Sequence, residues 1–421
     1  MISPAGLVLL TTIVLARAFP QNAASPPALV AGVPVNYDES RVGAYTLPDP
    51  LVLASGSRVT DPKMWFRQRR PELLRLFEQH QFGVSPGRPP ALRFDVFDKG
   101  TPAFGGVAIR KQVTIRFTAD ADGPRMDLLL YTPSGAKRKA PVLLHLGFTA
   151  NSLTVDDPGV RAGEIWSRDR RRVPASMGRR FGTLDVRKWI ERGFGVATVY
   201  YGDIEPDFDG GSQWGIRGAL PGSWGAIAAW GWGLSRALDY LETDRDADAR
   251  RVAIMGVSRL GKTVLWAAAR DTRFAAVIAS CSGEGGAAIS RRDYGETIRH
   301  LALRYGYQFT PDYARWGGRV AEFPVDAHLL IALVAPRPLL LQTGDTDHWS
   351  DPKGEFLAAV AAGPVYRLLG KADLGTTTPP APGQPILNTL GYHMHSGGHG
   401  VQPGDWDVFL KFLEKHLGPA R

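Results

Sequence analysis

The sequence predicts a doubly wound α/β fold, a mostly parallel sheet with helices on both faces, and two patterns carry that prediction. Short, nearly continuous runs of Val, Leu, Ile and Ala recur at 126–131, 141–146, 196–201, 251–255, 275–279 and 338–342. Strands apolar at every position are buried on both faces, as in a parallel sheet covered by helices. Between these runs, segments with helical spacing of apolar residues lie at 186–192, 223–241, 262–270, 355–362 and 405–417. Alternation of strand and helix is the doubly wound pattern. The composition agrees: 421 residues, 44% hydrophobic and 22% charged, suffice for a sizeable core and exclude disordered, collagen-like and polytopic membrane chains.

No internal repeat, heptad or linker divides the chain into two cores, so residues 51–421 are expected to form a single domain. The irregular stretch 148–183 reads as a long inserted loop region on that domain, and insertions of this size usually carry function. The amino-terminal end differs. Residues 7–16 are an apolar run too short to span a bilayer, and Ala16-Arg17-Ala18 places small residues where signal peptidase cuts. Residues 1–18 are therefore expected to be a signal peptide and 19–50, rich in Pro and Ala, an N-terminal extension. The mature chain is expected to be exported, periplasmic or secreted, without a membrane span and monomeric. The single cysteine, Cys281, excludes an intrachain disulfide framework and any cysteine-rich zinc or iron–sulfur centre. A net charge of +9 raises the question of nucleic acid, but much of the excess lies in the arginine-rich stretch 161–180, which reads as a solvated loop. No nucleic-acid partner is expected.

Residues 251–270, RVAIMGVSRLGKTVLWAAAR, form a buried strand, a glycine-flanked turn and an apolar helix. Two incompatible motifs overlap there. Gly256, Gly261, Lys262 and Thr263 fit G-x-x-x-x-G-K-[ST], in which backbone amides cradle phosphates. Gly256, Ser258 and Gly261 also fit a nucleophile elbow, in which a serine on a strained strand-to-helix turn exposes its hydroxyl above the sheet, although Leu260 stands where the commonest form has glycine. The surroundings favour the elbow. A nucleotide-binding loop usually follows the first strand of its domain, whereas this turn comes late. An elbow requires the chain order Ser, acid, His, with each partner beyond a later strand. The strand at 338–342 is followed by TGDTDHWSD, and HMHSGGHG precedes the last helix. The expected architecture is thus the α/β-hydrolase fold.

Several stretches together are specific to one family. Gly256–Lys262 (GVSRLGK), Ser282–Arg292 (SGEGGAAISRR), Asp347–Phe356 (DHWSDPKGEF) and Gly391–Gly400 (GYHMHSGGHG) resemble carbohydrate esterase family 15, the glucuronoyl esterases, in its bacterial form. Tyr200–Asp207 (YYGDIEPD) and Leu146–Asn151 (LGFTAN) resemble it too. The resemblance implies Ser258 as nucleophile and His399 as base, with His393 and His395 as nearby rivals. It implies Arg259 beside the oxyanion, Lys262 on the hydroxyls of a uronic acid, and Glu296 and Trp349 holding the same sugar, with Arg304 near a further polar contact. The acid departs from the fungal pattern, in which a glutamate occupies the position of Cys281. Asp347 matches the aspartate that some bacterial members use, Glu284 and Asp345 are the alternatives, and Asp351, just before a proline, reads as a helix cap. The implied reaction is hydrolysis of the ester between 4-O-methylglucuronic acid of glucuronoxylan and lignin alcohols, without metal or organic cofactor. The competing readings are another α/β-hydrolase such as an acetyl xylan esterase, and a phosphate-binding-loop protein using Lys262 and Thr263.

Overall fold

The computed structural model describes residues 29–180 and 183–419, so the expected signal peptide lies outside the described residues. Nine strands form one sheet: β1 (Arg93–Ala103), β2 (Ala108–Arg116), β3 (Arg125–Pro133), β4 (Ala140–Gly147), β5 (Gly195–Tyr200), β6 (Ala247–Val257), β7 (Ala276–Ser280), β8 (Leu339–Gly344) and β9 (Leu390–His395). Their spatial order is β9-β8-β7-β6-β4-β5-β3-β2-β1. From β9 to β5 every pair is parallel; β3, β2 and β1 continue the sheet antiparallel.

Six helices frame the site: α1 (Val186–Glu191), α2 (Ala226–Leu241), α3 (Arg259–Arg270), α4 (Ala327–Val334), α5 (Pro352–Leu368) and α6 (Pro403–Leu417). Successive residues of the parallel strands feed opposite faces, which is why these strands read as continuously apolar. Val252 and Ile254 pack on the side of α2, α3, α4 and α5; Ala253 and Met255 pack against Trp189 of α1 and Phe409 and Phe412 of α6. Trp224, Trp230 and Trp232 are buried on the first of these faces.

Four of these elements escaped the periodicity reading. β1 and β2 have polar or mixed patterns at a sheet edge, β9 carries two histidines and a glycine, and α4 is apolar all round, so no helical stripe marks it. The segment 29–50 lies against the domain. Asn36 O accepts the Gly295 N–H, Glu39 pairs with Arg292 and Lys353, and Pro48 O lies 2.7 Å from His328 Nε2. The insertion folds a two-stranded ribbon, Glu164–Trp166 with Arg172–Pro174. Its arginines are not uniformly free: Arg161 pairs with Asp127, Arg172 with Asp203 and Arg180 with Asp156.

Candidate active site

β6 runs into α3 through one residue, Ser258, at φ 59° and ψ −126°. A non-glycine residue at positive φ is strained, at a cost of order 1–3 kcal/mol, and persists only where its surroundings enforce it. The glycines show how. A Cβ on Gly256 would stand 2.3 Å from Leu260 O, and one on Gly261 would stand 2.7 Å from Ser280 O at the end of β7. The second small residue of the elbow is therefore Gly261, where α3 crosses β7, while Leu260 turns into the core. We expect Gly261→Ala to lower stability by about 1–3 kcal/mol through overpacking and to misplace Ser258; thermal melts and esterase rates check both effects.

This geometry corrects the phosphate-binding alternative. Arg259 to Lys262 already form the first turn of α3, so no open loop of amides remains to cradle a phosphate. Lys262 is buried with its ammonium 3.7 Å from Glu296 Oε2. Burial pulls the Lys262 pKa down, and the nearby Glu296 carboxylate opposes that shift.

The two partners stand in loops beyond β8 and β9. Nδ1 of His399 lies 2.7 Å from Asp347 Oδ2, a separation that places the proton on Nδ1 and leaves Nε2 as the acceptor for a serine hydroxyl. Ser350 Oγ lies 3.2 Å from the same nitrogen. Burial pushes the Asp347 carboxyl up, but hydrogen bonds from His399 and Ser350 outweigh it and hold the group below the ordinary carboxylate range. The loop bearing His399 is fixed from several sides. Gly397 N–H donates to Asp345 Oδ1, and Gly400 N–H donates to Cys281 Sγ. His395 Nε2 lies 2.9 Å from Gly398 O. The rival histidines are committed elsewhere, since His393 and His395 both bind the Asp405 carboxylate at the start of α6, buried.

The alternative acids fall into other tasks. Glu284 is buried, with Ser290 and Tyr313 hydroxyls donating to it at 2.6 and 3.0 Å. Asp345 holds Gly397, and Asp351 caps α5 at the Gly354 N–H while pairing with Arg292. Cys281, at the fungal acid position, has φ 44° and a buried thiol pushed up to about 12 by burial. Glu355, which sequence reasoning left without a role, is wholly buried under this loop and accepts from the Gly283 N–H and the Ser282 hydroxyl.

Burial raises both Glu284 and Glu355 to about 8 from an ordinary value of 4.5. Between those pH values the folded chain retains protons that the unfolded chain releases, so stability falls as pH rises through the window. Melting temperatures at pH 5 and 8 are expected to show that fall, and Glu284→Gln or Glu355→Gln to reduce it; an unchanged slope in both variants would refute the protonation of these groups.

Arg259 is held where it leaves α3. Its NH1 lies 2.5 Å from Asp207 Oδ2 and its guanidinium covers the Tyr305 ring at 4.7 Å. Tyr201, Tyr307 and Gln308 also donate to Asp207. Burial works against the Arg259 charge, but Asp207 prevails and raises its pKa. Asp207 and Tyr305 are contributors that the sequence reading did not single out; Asp207 ends the YYGDIEPD stretch, which was the available signal. Glu296 also lies 3.9 Å from Arg304, and its N–H donates to Trp349 O. Arg304 in turn stacks over Trp349 and Tyr305. The expected sugar contacts thus form one connected cluster. Ser258, Arg259 and His399 open on a cavity of about 950 Å³ whose other walls include Phe148, Trp166, Tyr200, Trp189 and Trp406.

A parallel sheet wrapped on both faces, with a strained serine between strand and helix and a His–Asp pair in later loops, defines the α/β-hydrolase class. Comparison with known proteins narrows it. The family model for glucuronyl esterase of fungi matches residues 210–370. Carbohydrate esterase MZ0003, from an unknown prokaryotic organism, is 45% identical over 399 residues, 91% of this chain and 92% of that protein. The 4-O-methyl-glucuronoyl methylesterase of Neurospora crassa is 25% identical over 375 residues, 87% and 79% of the two chains. Among solved structures, a glucuronoyl esterase from Solibacter usitatus superposes with a TM-score of 0.84 at 46% identity, covering 90% of this chain and all of that one. The chain belongs to carbohydrate esterase family 15, the glucuronoyl esterases, which are carboxylic ester hydrolases.

Proposed function

We propose that this chain hydrolyses the ester joining the carboxyl of 4-O-methylglucuronic acid in glucuronoxylan to lignin alcohols. The observation that carries the reading is that His399, 2.7 Å from Asp347 through Nδ1, lines the same cavity as the strained Ser258. His399 Nε2 takes the Ser258 proton as the hydroxyl attacks the ester carbonyl, and Asp347 supports the imidazolium that forms. The oxyanion meets the Arg259 backbone N–H at the start of α3 and the Arg259 guanidinium, both in place before the charge develops. His399 then gives its proton to the departing alcohol. Water, deprotonated by the same nitrogen, cleaves the acyl-enzyme and restores Ser258. Lys262, Glu296 and Trp349 hold the uronic acid, with Arg304 bracing the last two. None of these steps calls for a metal or organic cofactor.

We also propose that residues 1–18 direct export and that residues 51–421 act as one catalytic domain, monomeric, without nucleic-acid partners; no helix among the described residues is long and apolar enough to cross a membrane. The test of function compares rates on benzyl glucuronate and on acetylated xylan. Preference for the glucuronate ester supports the reading. Preference for acetyl groups would make the chain an acetyl esterase that keeps the family fold.

A further inference from the structure

The catalytic cavity does not end at the nucleophile. The Lys262–Glu296–Trp349–Arg304 cluster is not among its walls, whereas Phe148, Trp166 and Tyr200 are. If the uronic acid takes the cluster, the cavity receives the alcohol half of the ester. Trp166 then leads outward. Its indole N–H is anchored on Gly202 O at 2.8 Å, and its ring meets Phe208 at 5.3 Å and Trp214 at 6.0 Å. Trp214 is 53% exposed, an unusual state for the largest apolar side chain. Guanidinium groups already cover this surface, Arg172 over Trp166 and Arg170 over Phe208, each at 5.5 Å. Among the described residues no carboxylate pairs with Arg168, Arg170 or Arg171, and the Arg168 and Arg171 side chains make no hydrogen bond.

We infer that Trp166, Phe208 and Trp214, with Arg168, Arg170 and Arg171, form a second subsite that binds the aryl rings of a lignin alcohol lying beyond the ring that fills the catalytic cavity. The inference rests on the glucuronoyl esterase reading and adds an extended leaving-group site to it. Three features select this occupant. The surface continues the wall of the cavity that holds the departing alcohol. Flat indole and phenyl faces suit electron-rich arenes in offset or edge contact. Guanidinium groups stack on such rings and donate to their ether and phenol oxygens.

The experiment measures kcat and KM for three glucuronate esters: the benzyl ester, the ester of a two-ring β-ether lignin alcohol, and the benzyl ester carried on a xylo-oligosaccharide. Hydrolysis of the benzyl ester by the wild type tests the function itself, independently of the subsite. For Trp214→Ala, kcat/KM on the two-ring ester is expected to fall about five- to tenfold, the size of an aromatic contact, chiefly through KM, with the benzyl ester changed less than about twofold. Trp214→Phe is expected to restore most of the loss. Arg170→Ala with Arg171→Ala is expected to act in the same direction. Equal losses on the benzyl and two-ring esters overturn the subsite. A loss confined to the xylo-oligosaccharide substrate also overturns it, and would assign this surface to the polysaccharide instead.

Discussion

Ser258→Ala is expected to abolish glucuronate ester hydrolysis while leaving the fold intact. The hydroxyl makes little packing contribution, and the residues of a catalytic triad act as a unit, so removing the nucleophile costs on the order of 10⁴-fold or more. The backbone strain at Ser258 persists in the variant, because it is imposed by Gly256 against Leu260 and by Gly261 against the end of β7. Circular dichroism and a melting temperature near wild type establish the fold. Activity above about a hundredth of wild type would remove Ser258 from its role, since no water-based route through the remaining groups reaches that rate.

Asp347→Ala is expected to cost about 10⁴-fold in kcat, because the imidazole loses both the tautomer that exposes Nε2 and the partner for its charge. Glu284→Gln is expected to leave the rate near wild type. Its carboxyl is already spent on Ser290 and Tyr313, and burial keeps it protonated below about pH 8. Cys281 supplies a sharper check. One ligand-forming atom from each of Cys281, Asp347 and His399 lies within 4.8 Å of the others, so a carboxylate introduced at 281 can approach the same imidazole. Cys281→Glu in the Asp347→Ala background is expected to recover part of the lost rate. If Glu284→Gln proves inactive and Asp347→Ala does not, the loop after β7 supplies the acid and the assignment fails.

The proposed triad of Ser258, Asp347 and His399 was legible as a candidate because such chemistry forces local sequence: small residues around the elbow, and a fixed order of partners at strand ends. Asp347 and Glu284 could not be separated by residues alone. Both lie in loops at the same edge of the sheet, and only the course of the backbone shows that one meets His399 Nδ1 while the other turns toward Tyr313. Asp207 was missed for a related reason. Its bond to Arg259 spans 52 positions in sequence, and nothing in the periodicity of either segment announces it. The parallel strands were readable as buried runs, whereas β1 and β9, at the two edges, carry polar residues that hide them. The helix α4 is the opposite case, too apolar to show a face.

The most direct test is identification of the acyl-enzyme. A reaction of the protein with benzyl glucuronate is quenched in acid within the first turnovers, digested and mapped by mass spectrometry. A glucuronoyl adduct is expected on the peptide containing Ser258, absent when Ser258→Ala is treated in the same way. An unmodified Ser258 peptide under conditions of burst turnover, or an adduct on another residue, would contradict it.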